Sequence, residues 1–208
     1  NAEAEIFICE ASIIDKELAR HIENKSADIL DKTLFVTDIA ECAKLLTEKN
    51  FCVAALEHGE NTSEKFDGIK YIFSEPEEVD FDSYLKAYQR IKGLPWNILQ
   101  TKRCLIRETT VDDVDKLYKI YSEPEMTRYM EGLFSDPEDE KRYMKDYIDK
   151  VYGFMGFGVW SVIEKESNEL IGRAGFSIRK GFDHPEIGFL ISKSRQNMGY
   201  AKEVASAV

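Results

Sequence analysis

Positive charge is in short supply in this chain. Its 208 residues carry 28 lysines and arginines against 39 aspartates and glutamates, a net charge of −11 at pH 7. That balance argues against sequence-independent nucleic-acid binding, which works by neutralising phosphates with a basic surface. Long apolar runs are also missing. No segment approaches the roughly 18 residues of a membrane helix, and the first residues do not form a signal peptide. A cytoplasmic chain with neither a membrane nor a nucleic-acid partner is therefore expected. Histidine occurs three times, at His21, His58 and His184, without clustering. The four cysteines, Cys9, Cys42, Cys52 and Cys104, form no CxxC pair and sit among apolar neighbours. Buried thiols in a reducing compartment account for them, and no metal site is expected.

What is present suits a folded core: 43% apolar and 12% aromatic residues are ample for burial and argue against disorder. The charge is uneven. Residues 1–100 hold 20 acidic and 11 basic side chains, and residues 101–208 hold 19 and 17. The second half is thus the better host for an anionic ligand, and the first half has a solvated acidic face.

The pattern divides near residue 100, into 1–98 and 99–208. In the first part Thr33–Asp38, Phe51–Leu56 and Tyr71–Ser74 read as short strands, with a further one at Ile6–Cys9. Asp15–Asn24, Ile39–Lys49 and Phe81–Lys92 have helical spacing. Strands separated by helices imply parallel pairing in a three-layer-like α/β domain. Gly93-Leu-Pro-Trp96 closes it with a helix stop. Beyond it lie a strand at Cys104–Arg107, a helix capped by Thr110 with Asp113 three residues on, and a second helix from Pro137 to Lys150. The first of these helices should turn Val114, Leu117, Tyr118 and Tyr121 inward. Strands at Gly158–Ile163, Leu170–Ile178 and Glu186–Ile191 follow across polar turns, and the chain ends in a glycine turn and a helix. This is an α+β antiparallel meander.

Two glycine stretches compete as anion sites. Gly153-Phe-Met-Gly-Phe-Gly158 feeds a strand and reads as a loop. Gln196-Asn-Met-Gly-Tyr-Ala201 follows a strand and opens a helix, the order in which unpaired N–H groups and the helix dipole face an anion. Gly199 removes a Cβ where the anion approaches, and Lys193, Arg195 and Lys202 add positive charge. A plain helix start after a turn explains the same residues equally well.

Gln196, Gly199 and Ala201 stand in the defining positions of the Q/R-x-x-G-x-G/A turn of the GNAT acyltransferase superfamily. Arg103-Cys-Leu-Ile-Arg107, Tyr121-Ser-Glu-Pro-Glu125, Glu169-Leu-Ile-Gly-Arg-Ala-Gly175 and Glu186-Ile-Gly-Phe-Leu190 give that turn its setting. Residues 101–208 resemble the branch that includes ribosomal-protein N-terminal acetyltransferases. Asn197 and Met198 replace a frequent Gly-Lys pair, so one positive charge is missing. The resemblance implies acetyl transfer from acetyl-CoA to the amine of a small molecule or peptide. It places the pyrophosphate on the turn, Gln196 to Ala201 (Gln196, Asn197, Met198, Gly199, Tyr200, Ala201). Pantetheine would pair with Phe189, Leu190 and Ile191, where a strand bulge is expected. Glu186 is the candidate general base and His184 a weaker one. Tyr129, Met130 and Phe134 are candidates for the amine pocket, and a homodimer is possible.

The resemblance also implies further sheet and helix elements after the turn, so the GNAT-type domain is expected to be incomplete at its C-terminus, with roughly 60–80 residues more in the natural chain. The first part more loosely resembles a haloacid-dehalogenase-like core, through Leu34-Phe-Val-Thr-Asp38 and Phe51-Cys-Val-Ala-Ala-Leu56, and lacks the Asp-x-Asp nucleophile at the end of that first strand. It is read as a non-catalytic accessory domain, with Thr37 and Asp38 at a strand's carboxyl end open to ligand binding or helix capping. The rival reading is a ligand-sensing protein without turnover.

Overall fold

The computed structural model describes residues 6–7, 22, 25–75, 78–128, 132–178 and 181–208. The expected helix over Asp15–Asn24 (apart from Ile22), Cys9, His21, Tyr129 and Met130 lie outside these residues. The chain divides into two compact units, Asn1–Leu94 and Pro95–Val208.

The first unit contains β1 (Ile6–Phe7), α1 (Ala27–Asp31), β2 (Leu34–Thr37), α2 (Ala40–Glu48), β3 (Cys52–Glu57), β4 (Ile72–Ser74) and α3 (Phe81–Ile91). Its sheet runs β1-β2-β3-β4 with every pair parallel. Adjacent strand residues face opposite ways, and both faces are covered. Phe35, Val53 and Ala55 pack on Cys42, Ala43 and Leu46 of α2. Leu34, Val36, Cys52 and Ala54 meet Tyr84, Tyr88 and Ile91 of α3. Helix α3 starts where Asp80 accepts a hydrogen bond from the Ser83 N–H at 2.8 Å. Asp38 does not cap α2. Glu64 takes the Ala40 N–H at 2.7 Å, and Asp38 faces the His58 ring at 3.2 Å.

The second unit begins with a strand not anticipated from sequence, β5 (Asn97–Gln100), which pairs antiparallel with β6 (Cys104–Arg107). That pairing holds Pro95 to Gln100 in this unit. A 3-10 turn (Val111–Asp113) and α4 (Val114–Tyr121) follow, and the Asp113 carboxylate accepts from the Thr110 N–H at 2.9 Å. The residues α4 buries are Val114, Leu117 and Ile120, with Tyr118 and Tyr121 only half-buried. Next come α5 (Pro137–Tyr147), a π-helical turn (Ile148–Tyr152) and α6 (Gly153–Met155). The glycine-rich stretch thus continues a helix before breaking at Gly156, whose φ is 71°.

Strands β7 (Val159–Glu164), β8 (Leu170–Ser177) and β9 (Glu186–Ile191) complete an antiparallel sheet ordered β5-β6-β7-β8-β9. Gly172 is required at the β8–β9 approach, because a Cβ there would lie 2.0 Å from the Leu190 carbonyl oxygen. The chain closes with a 3-10 turn (Lys193–Arg195) and α7 (Tyr200–Ala205). Ile163, Leu170 and Leu190 pack with Leu117 and Ile120 of α4. Their neighbours Val162, Ile171 and Ile191 pack with Tyr200 and Val204 of α7. The two helices therefore lie on opposite faces. No helix among the described residues is long and apolar enough to cross a membrane.

Candidate functional site

The turn between β9 and α7 is built on two left-handed residues. Asn197 has φ 61° and Gly199 has φ 83°, with Met198 between them. Alternation of this kind points successive backbone N–H groups into one concavity. Helix α7 starts at Tyr200, and its first backbone bond runs from the Glu203 N–H to the Gly199 carbonyl at 3.1 Å. The N–H groups of Tyr200, Ala201 and Lys202 consequently have no intrahelical partner. Gln196 does not reach into the concavity with its amide nitrogen. That nitrogen donates to the Ile191 carbonyl at 3.0 Å and contacts the Met126 sulfur at 3.3 Å, tying the turn to the end of β9.

Charge around the turn is arranged differently from the expectation. Lys193 pairs with Glu125 at 3.2 Å. Arg195 forks onto Glu164 at 3.0 and 2.8 Å. Glu164 is 5% exposed and also accepts from Ser167 at 2.6 Å and from the Tyr200 hydroxyl. The Arg195 guanidinium, then Ser167 and Tyr200, hold the Glu164 carboxyl down to about 2. Lys202 lines the cleft at the turn as expected, and Arg103 braces the turn through Met198 and Tyr200. The Arg103 Nη1 donates to the Met198 carbonyl at 3.0 Å, and its guanidinium stacks 3.8 Å from the centre of the Tyr200 ring. Its Nη2 would lie 3.6 Å from a Cβ on Gly199. Arg103 is fixed there by Glu203, at 2.8 Å through its backbone N–H and 2.7 Å through Nε. The Thr101 hydroxyl first, and then the Arg103 N–H and guanidinium, hold Glu203 down to about 2 against the opposing effect of burial. Sequence reasoning used Arg103 only as a strand marker.

Strand β9 is the last in its sheet among the described residues, and its pairing with β8 runs without a register shift from Glu186 to Ile191. The expected bulge is absent from this pair. The register irregularities of the sheet fall between Asn97 and Leu99, and between Val162 and Ile163. Open backbone groups arise instead from the strand's edge position. The Ser192 N–H bonds the Ile171 carbonyl at 2.7 Å. By antiparallel alternation Leu190, Gly188 and Glu186 also bond toward β8, and Ile191, Phe189 and Ile187 aim their N–H and C=O groups outward. The capture of the Ile191 carbonyl by Gln196 agrees with this.

Turn and edge meet in one cleft of about 500 Å³. Phe189, Leu190 and Ile191 form one wall. Gln196, Asn197, Gly199, Tyr200 and Ala201 form the other, and Glu125 and Met126 close it. Met198 is not in the lining and contributes its carbonyl to Arg103. Glu186 is not in the cleft either. It is exposed at the start of β9, opposite Ser177, and five residues of strand put it about 17 Å from Ile191. His184 is exposed in the preceding loop. Phe134 is 52% exposed and leans on Tyr143 with ring centres 5.7 Å apart. Gly158 is a packing glycine, since a Cβ would sit 2.8 Å from both the Tyr147 hydroxyl and the Tyr152 ring.

The chain resembles known proteins through this second unit. Over 106 residues it is 30% identical to "Uncharacterized N-acetyltransferase p20" of Bacillus licheniformis, covering 50% of this chain and 60% of that one. Over 112 residues it is 34% identical to "Uncharacterized N-acetyltransferase YnaD" of Bacillus subtilis (strain 168), covering 53% and 62%. It spans, in other words, about three-fifths of these relatives' length. Among solved structures, a GNAT-family acetyltransferase from Bacillus anthracis is 28% identical with a TM-score of 0.42, covering 52% of this chain and 61% of that one. The "Acetyltransferase (GNAT) domain" family model matches residues 103–208. Through those residues, half its length, the chain belongs to the GNAT acetyltransferase family.

Proposed function

We propose that this protein transfers an acetyl group from acetyl-CoA to a primary amine. One observation carries the reading: the N–H concavity of the turn, with Lys202 beside it, and the open edge of β9 line the same cleft. A long phosphorylated thioester needs both. The pyrophosphate oxygens would take the N–H groups from Met198 to Lys202, at a helix start that favours negative charge. The pantetheine amides would take the outward N–H and C=O of Phe189 and the N–H of Ile191, as an added strand does at a sheet edge. Lys202 in the lining, with Arg103 bracing the turn, supplies the positive charge that Asn197 and Met198 do not.

Acetyl-CoA brings the activated acyl carbon as a thioester. The protein's task is to orient that carbon and to take a proton from the acceptor, because an ammonium has no lone pair with which to attack. Glu186 is the candidate base, acting directly or through one water. Its separation from the turn, about 17 Å along β9, suits this role, since the reacting end of an extended pantetheine lies far from the pyrophosphate. The acceptor is a small molecule or a peptide, and a homodimer belongs to the same reading. The first unit serves as an accessory domain. The pairing of Asp38 with His58 and the alanine, Ala40, where an Asp-x-Asp after β2 would need a second aspartate favour that role over phosphate chemistry.

Thermal unfolding with and without acetyl-CoA tests the proposal. A ligand that binds only the folded state at a hundred times its Kd stabilises by about 2.7 kcal/mol, so a clear rise in Tm is expected. Gly199→Asp should abolish the rise. It forces a side chain into the left-handed region and sets a carboxylate beside Arg103, where the pyrophosphate would lie. Glu186→Gln should keep the rise and lose thiol release. A rise in Tm with no thiol released from any amine in a broad panel would favour the ligand-sensing alternative. Full activity in Glu186→Gln would remove that residue as the base.

A further inference from the structure

Among the described residues Arg173 has no hydrogen-bond or ion-pair partner. It lies on β8 between Ser161 of β7 and Leu190 of β9, and cross-strand partners share a face of the sheet. That is the face under α4, where Ser161 bonds Thr109 at 3.0 Å and Leu190 packs with Leu117 and Ile120. Arg173 is half-buried, and its Nε is buried without a hydrogen-bond partner. Among the described residues it makes no ion pair. The carboxylates on the elements packed against this face are already engaged. Asp113 is forked by Arg107 at 2.6 and 2.8 Å, and Glu140 accepts from the Phe134 N–H at 3.1 Å. Tyr143 and Tyr152 lie close enough to feel the charge of Arg173. A partly desolvated guanidinium beside tyrosines and lacking an anion is a costly arrangement for stability alone. It is a favourable one for receiving a carboxylate, which its planar fork matches in geometry.

The same face carries Glu186. Arg173, Gly175 and Ser177 alternate in step along β8, and Ser177 pairs with Glu186. Four residues of strand separate Arg173 from Ser177, about 13 Å. An acceptor spanning from Glu186 to Arg173 would hold its amine and its anion several bonds further apart than a free α-amino acid does. We propose that Arg173 anchors the acceptor, and that the preferred acceptor is a peptide whose N-terminal amine is followed within about three residues by an acidic side chain. This rests on the acetyl-transfer reading above.

The test uses the full-length protein and two short peptides alike except for Glu or Gln at the third residue. Binding is measured with coenzyme A at saturation, and turnover with acetyl-CoA. The wild type should bind the Glu peptide at least about ten-fold more tightly, the scale of one hydrogen-bonded charge pair. Arg173→Gln should bind the two peptides equally, with coenzyme A affinity unchanged, and Arg173→Lys should recover part of the preference. The Tm of Arg173→Gln should equal or exceed that of the wild type, whereas a structural arginine would lower it on removal. Equal binding of the two peptides by the wild type, no binding of either, or a preference that survives Arg173→Gln would each overturn the anchor. A Glu preference in binding without any turnover would leave the anchor standing and count against acetyl transfer. Turnover with no preference in either measurement would sink the anchor alone.

Discussion

The two sheets of this chain handle their strands in opposite ways. In the first unit β2 is buried along all four residues, and β3 along its first four. Parallel strands covered on both faces read as continuous apolar runs. In the second unit β9 buries only Leu190 and Ile191 and leaves its first four residues exposed, among them Ile187 at 45% and Phe189 at 51%. One sheet spends its apolar residues on a core. The other keeps apolar side chains and backbone groups open at an edge next to an anion-friendly turn. The lesson is that the candidate site arises where, among the described residues, a strand edge runs into a left-handed turn, not where a glycine run is densest.

If that contrast holds, charge matters more to the second unit than to the first. The largest effect is expected at Glu164, on which Arg195, Ser167 and Tyr200 converge. Glu164→Ala leaves a part-buried guanidinium and a buried tyrosine hydroxyl without their acceptor, a loss on the order of 3–5 kcal/mol for a broken buried pair. Urea unfolding followed by tryptophan emission reads it directly, because both tryptophans, Trp96 and Trp160, lie in the second unit. A cost below about 1 kcal/mol would place Glu164 among ordinary surface pairs.

A matched pair of core deletions sharpens the comparison. Leu46 is 2% exposed on the buried face of α2 and Leu117 is fully buried in α4. Each Leu→Ala change should cost roughly 2–5 kcal/mol. Leu117→Ala should appear in tryptophan emission and weaken acetyl-CoA binding, since its cluster includes Leu190 of the cleft wall. Leu46→Ala should appear in far-ultraviolet circular dichroism and leave coenzyme binding unchanged. Weakened binding in Leu46→Ala would mean that the first unit is more than an accessory.

Most elements from residue 33 onward were legible because each is a local pattern. The capping pair Thr110 and Asp113 and the hairpin around Glu164–Glu169 are examples. Gly199 was legible too, since a left-handed residue before a helix leaves its mark within a few positions. Three features could not be read this way. Arg103 reaches the turn from 95 residues away, and no spacing rule connects the two. Strand β5 is a four-residue run whose only support is its neighbour β6. The open groups of β9 depend on which residues bond to β8, a matter of register that composition does not carry. The bulge expected there came from family resemblance, and an unbroken edge supplies the same outward groups without it.

Acid sensitivity gives the smallest and most graded test of the contrast. Glu164 and Glu203 both have folded values near 2, against about 4.3 for a glutamate in an unfolded chain. The unfolded state then binds more protons between these values, so stability rises with pH across the interval. The contribution is fully present above about pH 5 and is lost as pH falls through 4 toward 2. Asp113 adds to it in the same direction, held down by Arg107 and the Thr110 N–H against its burial. In the first unit Asp80, the exposed cap of α3, is held down by Ser83. Lowering the pH from 6 to 3.5 should therefore shift the urea midpoint seen by tryptophan emission more than it shifts any transition seen only by circular dichroism. Glu164→Gln should flatten that tryptophan-detected dependence, because a neutral amide has no proton to gain. Equal acid sensitivity of the two units would mean that the carboxylates around Arg103 and Arg195 are not what distinguishes the second unit.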